Sequence, residues 1–138
     1  MDSKKIIVAL LSLAALVALL SFTGCKSSSQ KEVSKKLINI EIEQLEELLG
    51  NPAMQLVDVR TQEEYDAGFI PGAVLIDVTL SDFTEKALKL LNPENPVLVY
   101  CRSGGRSLTA ARILVSRGFT VYNLNGGYTA YVAHKKKS

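Results

Sequence analysis

The chain has 138 residues, 47% of them hydrophobic and 22% charged, so it suits one ordinary domain with a buried core. Its net charge of +2 excludes the strongly basic balance of nucleic-acid binding proteins, and we expect no nucleic-acid partner. Two cysteines, Cys25 and Cys101, and one histidine provide neither a disulfide scaffold nor a metal cluster. No motif in the sequence indicates a cofactor.

The first 24 residues are typical of an export signal. Two lysines precede an apolar run over residues 6–20, and small residues follow it. The run is shorter than the roughly 20 apolar residues that a membrane-spanning helix needs, which favours cleavage over a permanent transmembrane anchor. Residues 22–25, Phe-Thr-Gly-Cys, resemble a bacterial lipoprotein signal, in which the cysteine is lipidated and becomes the new first residue. An ordinary secretory cleavage site near Cys25 is the alternative.

The lipoprotein pattern predicts an exported protein of the bacterial cell envelope, held at a membrane by the lipid on Cys25. Residues 25–36 are polar and rich in serine and lysine, as expected of a flexible linker between a lipid anchor and a domain. We predict one globular domain over residues 37–133 and a solvated basic tail over residues 134–138.

Hydrophobic patterning in the predicted domain alternates between short strands and helices. Thr61, with Glu64 three residues later, forms a capping box at the start of one helix. The strands read as apolar on both faces, which indicates an α/β fold with a mostly parallel five-stranded sheet and helices on both faces. The predicted strands are residues 37–40, 55–59, 74–78, 96–100 and 121–124, and the predicted helices are residues 42–49, 61–68, 81–91, 106–117 and a short last helix after residue 127.

Functional sites of parallel sheets lie in the loops that follow the carboxyl ends of the strands. Three loops meet this rule: residues 58–61, 101–106 and 125–127. We expect the second loop to carry the catalytic residues. It consists of Cys101, Arg102, Ser103, Gly104, Gly105 and Arg106.

Adjacent glycines in this loop let the backbone turn tightly and aim several N–H groups at one point, and the following helix adds its positive N-terminal end. Arg102 and Arg106 add fixed charge and forked donors for an oxyanion. Such a cradle stabilises a thiolate, so we expect Cys101 to be a nucleophile. The alternative is a structural core cysteine, which needs neither paired glycines nor two arginines beside it. The only histidine, His134, lies in the predicted tail, so the loop itself must activate the thiol.

Four segments of the domain, in this order, resemble the single-domain rhodanese family. They are residues 56–60 (LVDVR), 68–73 (GFIPGA), 99–107 (VYCRSGGRS) and 124–128 (LNGGY). The resemblance runs from about residue 37 to residue 133 and implies a five-stranded parallel sheet with helices on both faces. Two positions depart from the family pattern: Phe69 stands where histidine is common, and Tyr131 stands where tryptophan is common.

The resemblance also implies roles for the matching residues. Cys101 becomes the persulfide carrier, and residues 102–106 become the loop that cradles it and binds the substrate. Asp58 and Arg60 become a charge pair that supports the strand end near the loop. Gly126 and Gly127 give the backbone room beside the site.

The predicted function is sulfur transfer from a small anionic donor, such as thiosulfate, to a dithiol or protein acceptor through a Cys101 persulfide. One alternative is a lipid-tethered persulfide carrier or redox module that does not turn over thiosulfate. A second alternative is a cysteine phosphatase or arsenate reductase. Loop length disfavours it, because four residues separate Cys101 from Arg106 where a phosphate cradle has five.

Overall fold

The computed structural model describes residues 35–138 of the chain. The predicted export signal, Cys25 and residues 25–34 of the predicted linker lie outside it. Among residues 35–138, the helices are all too short or too polar to cross a bilayer.

Strands and helices alternate along the chain, as the hydrophobic pattern predicts. The strands are β1 (Leu37–Ile40), β2 (Gln55–Asp58), β3 (Val74–Leu75), β4 (Val97–Tyr100) and β5 (Val121–Leu124). A 3-10 turn at Ile42–Gln44 leads into α1 (Leu45–Leu49), and the later helices are α2 (Gln62–Asp66), α3 (Phe83–Leu90), α4 (Gly105–Ser116) and α5 (Gly127–Lys135).

Two element boundaries differ clearly from the prediction. The third strand has two residues instead of five. Beyond Leu75 the chain still donates from Ile76 N–H to the Asp58 carbonyl and from Val78 N–H to the Val59 carbonyl, and it then turns at residues 78–79. The last helix continues to Lys135, two residues into the predicted basic tail. Lys135 bonds to Glu46 at 2.8 Å and lies over the Tyr131 ring, and these contacts hold the end of α5 against the domain.

The five strands form one sheet in the order β1-β5-β4-β2-β3, and every neighbouring pair is parallel. Parallel neighbours require crossover connections, and the helices that supply them cover both faces of the sheet. The predicted α/β fold with a five-stranded parallel sheet is therefore confirmed.

Strand β4 lies in the centre of the sheet and divides its side chains between two cores. Val97 and Val99 pack in the core under α3 and α4, whereas Leu98 and Tyr100 pack in the core under α1 and α5. All four side chains are completely buried, as the two-residue period of a strand covered on both faces requires. The rigid central strand fixes the position of the residue that follows it, Cys101.

Candidate active site

Cys101 follows β4 directly and is 1% exposed, at the edge of the core under α3 and α4. The backbone N–H of Gly104 donates to its Sγ at 3.1 Å. Gly104 is the residue before α4 and has φ +108°, a conformation that side-chain-bearing residues rarely adopt. The glycine is therefore required for the turn that brings this amide back onto the sulfur.

The surroundings of Cys101 favour its thiolate. Burial by itself raises the pKa of the thiol, because a buried thiolate loses its hydration. The hydrogen bond from the Gly104 amide, together with the nearby Ser107 hydroxyl and the amides of residues 103 and 107, outweighs burial and lowers the pKa of Cys101 below its ordinary value. The loop amides and the N-terminus of α4 thus lower the pKa of the Cys101 thiol, a role that a neighbouring histidine would otherwise take.

A chain of polar side chains runs from the buried Ser107 to the exposed Asn39, which the sequence did not indicate. The Ser107 hydroxyl donates to Asn123 Oδ1 at 2.7 Å, and Asn123 Nδ2 donates to Asn39 Oδ1 at 2.9 Å. The same hydroxyl also lies 3.1 Å from the Gly104 carbonyl oxygen, so its single proton has two acceptors within reach. Parallel pairing of β5 with β1 places Asn123 beside Asn39, which only the sheet order reveals.

The first turn of α5 contacts the candidate catalytic loop, residues 101–106. The N–H groups of Tyr128 and Thr129 donate to the carbonyls of Cys101 and Arg102 at 2.8 and 3.1 Å. The loop is thus bound by amides at the N-terminus of α5 that have no acceptor within the helix. These two contacts form the seat of the loop. Because these two carbonyls face α5, the loop can turn the next amides toward the sulfur.

Gly126 and Gly127 make this close approach possible. A Cβ on Gly127 would lie 2.3 Å from the Cys101 carbonyl oxygen and 2.9 Å from the Arg102 carbonyl, and a Cβ on Gly126 would lie 2.8 Å from Ala130 Cβ. Both glycines have positive φ angles, +71° and +54°. The lack of a side chain at Gly127 therefore gives the loop room beside α5, and the lack of one at Gly126 avoids a clash with Ala130 of α5 itself.

Asp58 and Arg60 form a buried ion pair at the end of β2. Arg60 Nη2 donates to Asp58 Oδ2 at 2.6 Å and to the Gly68 carbonyl at 2.7 Å, and its guanidinium lies 4.3 Å from the centre of the Tyr128 ring. Through these contacts Arg60 ties the β2 end, the loop around Gly68 and the first turn of α5 together. The pair supports the seat of the catalytic loop and does not touch Cys101.

The two loop arginines differ in their contacts. Arg106 donates through both terminal nitrogens to the two carboxylate oxygens of Glu64, at 2.7 and 2.8 Å. The Arg102 side chain is exposed, and within residues 35–138 no carboxylate pairs with it. Arg106 therefore does not present a free fork for an oxyanion, as the sequence suggested for both arginines.

Glu64 joins the site through the capping box that the sequence predicts. Its backbone N–H donates to Thr61 Oγ1 at 3.4 Å, and Thr61 N–H donates to Glu64 Oε2 at 3.2 Å. The cap fixes the start of α2, and the same carboxylate reaches across to Arg106. The capping motif predicts the first contact, and only the fold reveals the second.

A shallow cleft of about 260 Å³ lies beside the catalytic loop, and of the site residues predicted from the sequence Arg60 and Arg102 line it. Its lining residues are Arg60, Glu64, Ala67, Arg102, Tyr128 and Thr129. A separate cleft of about 380 Å³, between β3 and α3, shares none of them. In residues 35–138, histidine, cysteine and carboxylate side chains form no group suited to a metal ion.

Replacing Gly127 with alanine tests the seat of the loop. We expect the variant to lose more free energy of unfolding than Gly72→Ala, measured by urea denaturation. Gly72 also has a positive φ, +87°, but a Cβ there meets no atom within 4 Å, so Gly72→Ala reports backbone strain alone, about 1–2 kcal/mol. Equal losses in the two variants would show that the approach of the loop to α5 does not constrain residue 127.

The alkylation of Cys101 by iodoacetamide as a function of pH tests its activation. We expect the rate to follow a pKa below that of a free thiol, so reactivity persists at neutral pH and falls as the pH drops through that pKa. Ser107→Ala removes one donor to the thiolate and raises the pKa, which lowers the rate at neutral pH on the order of ten-fold. Ser103→Ala is the control, since residue 103 acts through its amide. Identical pH profiles for the two variants would contradict the role of the Ser107 hydroxyl.

Comparison with known proteins identifies the family of this domain. The model of the rhodanese-like domain family matches residues 41–134. The chain is 33% identical over 121 residues to thiosulfate sulfurtransferase 18 of Arabidopsis thaliana, a match that covers 79% of this chain and 88% of that protein. It is 38% identical over 94 residues to the thiosulfate sulfurtransferase GlpE of Coxiella burnetii, over 67% of this chain and 84% of that protein.

Solved structures show the same similarity. The crystal structure of a rhodanese-like domain protein from Staphylococcus aureus superposes with a TM-score of 0.61 at 32% identity, covering 68% of this chain and 90% of that one. The resemblance that the four sequence segments carry is thereby confirmed at the level of the family. The chain belongs to the rhodanese-like domain family, which includes relatives named as sulfurtransferases.

Proposed function

We propose that the protein is a sulfurtransferase that carries a sulfane sulfur as a persulfide on Cys101. The observation that supports this most directly is the amide of Gly104 directed at Sγ, 3.1 Å away, in a loop whose hydrogen bonds lower the thiol pKa. A core cysteine needs no such donor. The sulfurtransferase names of relatives that match most of the domain support the same reaction.

Transfer proceeds in two displacements at sulfur. In the first, the Cys101 thiolate attacks the outer sulfur of the donor, a new S–S bond forms, and the donor's own S–S bond breaks. With thiosulfate, sulfite leaves with the bonding electron pair. In the second, a thiolate of the acceptor, or cyanide in an assay, attacks the outer persulfide sulfur, and Cys101 leaves as a thiolate. The acceptor in the cell is a dithiol or a protein thiol.

The loop amides stabilise the sulfur charge in both displacements. They lie in fixed positions because β4 and α5 hold the loop at both ends, so they need no reorganisation during reaction. Arg102, as the exposed guanidinium beside Cys101, supplies the attraction for an anionic donor. The pairing of Arg106 with Glu64 adds an argument against phosphate or arsenate chemistry, which requires a free arginine fork at the cradle.

Replacing Cys101 with serine tests the proposed function. We expect the variant to keep its fold and to lose thiosulfate:cyanide sulfurtransferase activity, because the hydroxyl of serine stays protonated and forms no persulfide. Intact-mass spectrometry after thiosulfate treatment provides a second measurement: the unmodified protein gains one reducible sulfur atom, and Cys101→Ser gains none. Substantial turnover by the serine variant would refute Cys101 as the sulfur carrier. A stable persulfide without turnover in the unmodified protein would instead indicate the carrier module.

We also propose that the enzyme works in the bacterial cell envelope, anchored by a lipid on Cys25. This proposal rests on the apolar run, the Phe-Thr-Gly-Cys segment and the polar linker over residues 25–36. A lipid on Cys25 also leaves Cys101 as the only free thiol of the chain, since the sequence has two cysteines. An intramolecular disulfide then cannot inactivate the enzyme.

Replacing Cys25 with serine tests the anchor. In a bacterial host we expect the unmodified protein to partition into the detergent phase of Triton X-114 and the Cys25→Ser variant to partition into the aqueous phase, because only cysteine accepts the lipid. The sulfurtransferase activity of both should be equal. Detergent-phase partition of the serine variant would contradict lipidation at residue 25.

A further inference from the structure

Glu64 binds both terminal nitrogens of the Arg106 guanidinium. Each of its carboxylate oxygens accepts one terminal N–H of Arg106, and one of them also accepts the N–H of Thr61. The hydrogen bond from Arg106 is the main reason why the pKa of Glu64 falls to about 2, so this carboxylate is charged throughout the neutral range. Both partners are about one-third exposed, so the pair borders the cleft and is not sealed in the core.

The charges around the cleft are otherwise nearly balanced. Arg60 is paired with Asp58, and Arg106 is paired with Glu64. Arg102 is the remaining cation of the cleft, without a carboxylate partner among the described residues. The reactive form of Cys101 is itself an anion and offsets one positive charge. A donor with two negative charges that enters the cleft therefore meets no net positive side-chain charge, and the Glu64 carboxylate is part of the cleft lining.

We propose that Glu64 sets the charge preference of the sulfur donor, favouring donors with at most one negative charge, such as an organic thiosulfonate or persulfide, over the thiosulfate dianion. This inference rests on the proposed sulfur transfer at Cys101. With a thiosulfonate, the Cys101 thiolate bonds to the outer sulfur, the donor's S–S bond breaks, and a sulfinate leaves with the electron pair. With a persulfide donor, the leaving group is a thiolate.

Replacing Glu64 with glutamine tests the proposal. Glutamine is nearly isosteric and still completes a capping box with Thr61, so the start of α2 is kept. The change removes the negative charge and leaves Arg106 uncompensated. We expect the ratio of kcat/KM for thiosulfate to kcat/KM for benzenethiosulfonate to rise about three- to ten-fold, chiefly through a lower KM for thiosulfate. A variant that merely loosened the loop would lose activity with both donors and leave the ratio unchanged.

Two further variants complete this test. Glu63→Gln makes the same charge change on the same helix at an exposed residue outside the cleft, and we expect its donor ratio to equal that of the unmodified protein. Arg106→Gln leaves the Glu64 carboxylate without its partner, and we expect the ratio to fall. An unchanged or lower ratio in Glu64→Gln, or an equal rise in Glu63→Gln, would overturn the proposal.

Anion protection of Cys101 separates this inference from the proposed function. Iodoacetamide alkylation of the full chain, followed on the Cys101 peptide by mass spectrometry, is measured with sulfate, a dianion, and methanesulfonate, a monoanion. We expect Glu64→Gln to improve protection by sulfate relative to methanesulfonate, and Glu63→Gln to leave it unchanged. Equal relative protection in all variants would overturn the role of Glu64. Absence of turnover with every donor, while the protection shift persists, would refute sulfur transfer and leave the charge selectivity standing.

Discussion

The site depends on the way the catalytic loop is held at both of its ends. The central strand β4 delivers Cys101 from a fully buried position, and the first amides of α5 bind the carbonyls of Cys101 and Arg102. With these carbonyls engaged, the loop turns at Gly104 and directs an amide at the sulfur. Hydrogen bonds from a rigid backbone stabilise an anion without reorganisation, which explains how a buried thiol is activated in the absence of a neighbouring base. Asp58 and Arg60 support this arrangement, because they tie the end of β2 to the first turn of α5.

Most of the arginine charge around this site is paired with carboxylates. Three arginines surround the loop, yet two of them are neutralised by carboxylates within 2.7 Å. A buried or half-buried guanidinium with its own carboxylate contributes position and rigidity more than attraction for a ligand. The remaining cation, Arg102, matches the single charge of the thiolate. Glu64 thereby links the capping box of α2 to donor selectivity, because the same carboxylate caps the helix and pairs with Arg106.

Much of the architecture follows from local signals. The strand and helix alternation, the capping box at Thr61, the glycine-rich turn after β4 and the family segments all depend on residues close in sequence, and the structure agrees with them. Boundaries were less accurate where pairing decides them. The third strand has two residues, with further backbone bonds to Asp58 and Val59 at the end of β2, and α5 extends to Lys135, whose side chain bonds to Glu46. Neither partner is close in the sequence.

The sequence by itself determined the α/β class, the family segments and the loop with its candidate nucleophile, Cys101, because each depends on composition and on patterns of residues close in sequence. Tertiary structure decided which groups act on that cysteine. Asn123 lies 16 positions from Ser107 and 84 from Asn39, and Glu64 lies 42 from Arg106, so no local pattern could pair them. Sheet order and crossover connections bring these residues together, and side-chain hydrogen bonds form only between groups that the fold has already placed within reach.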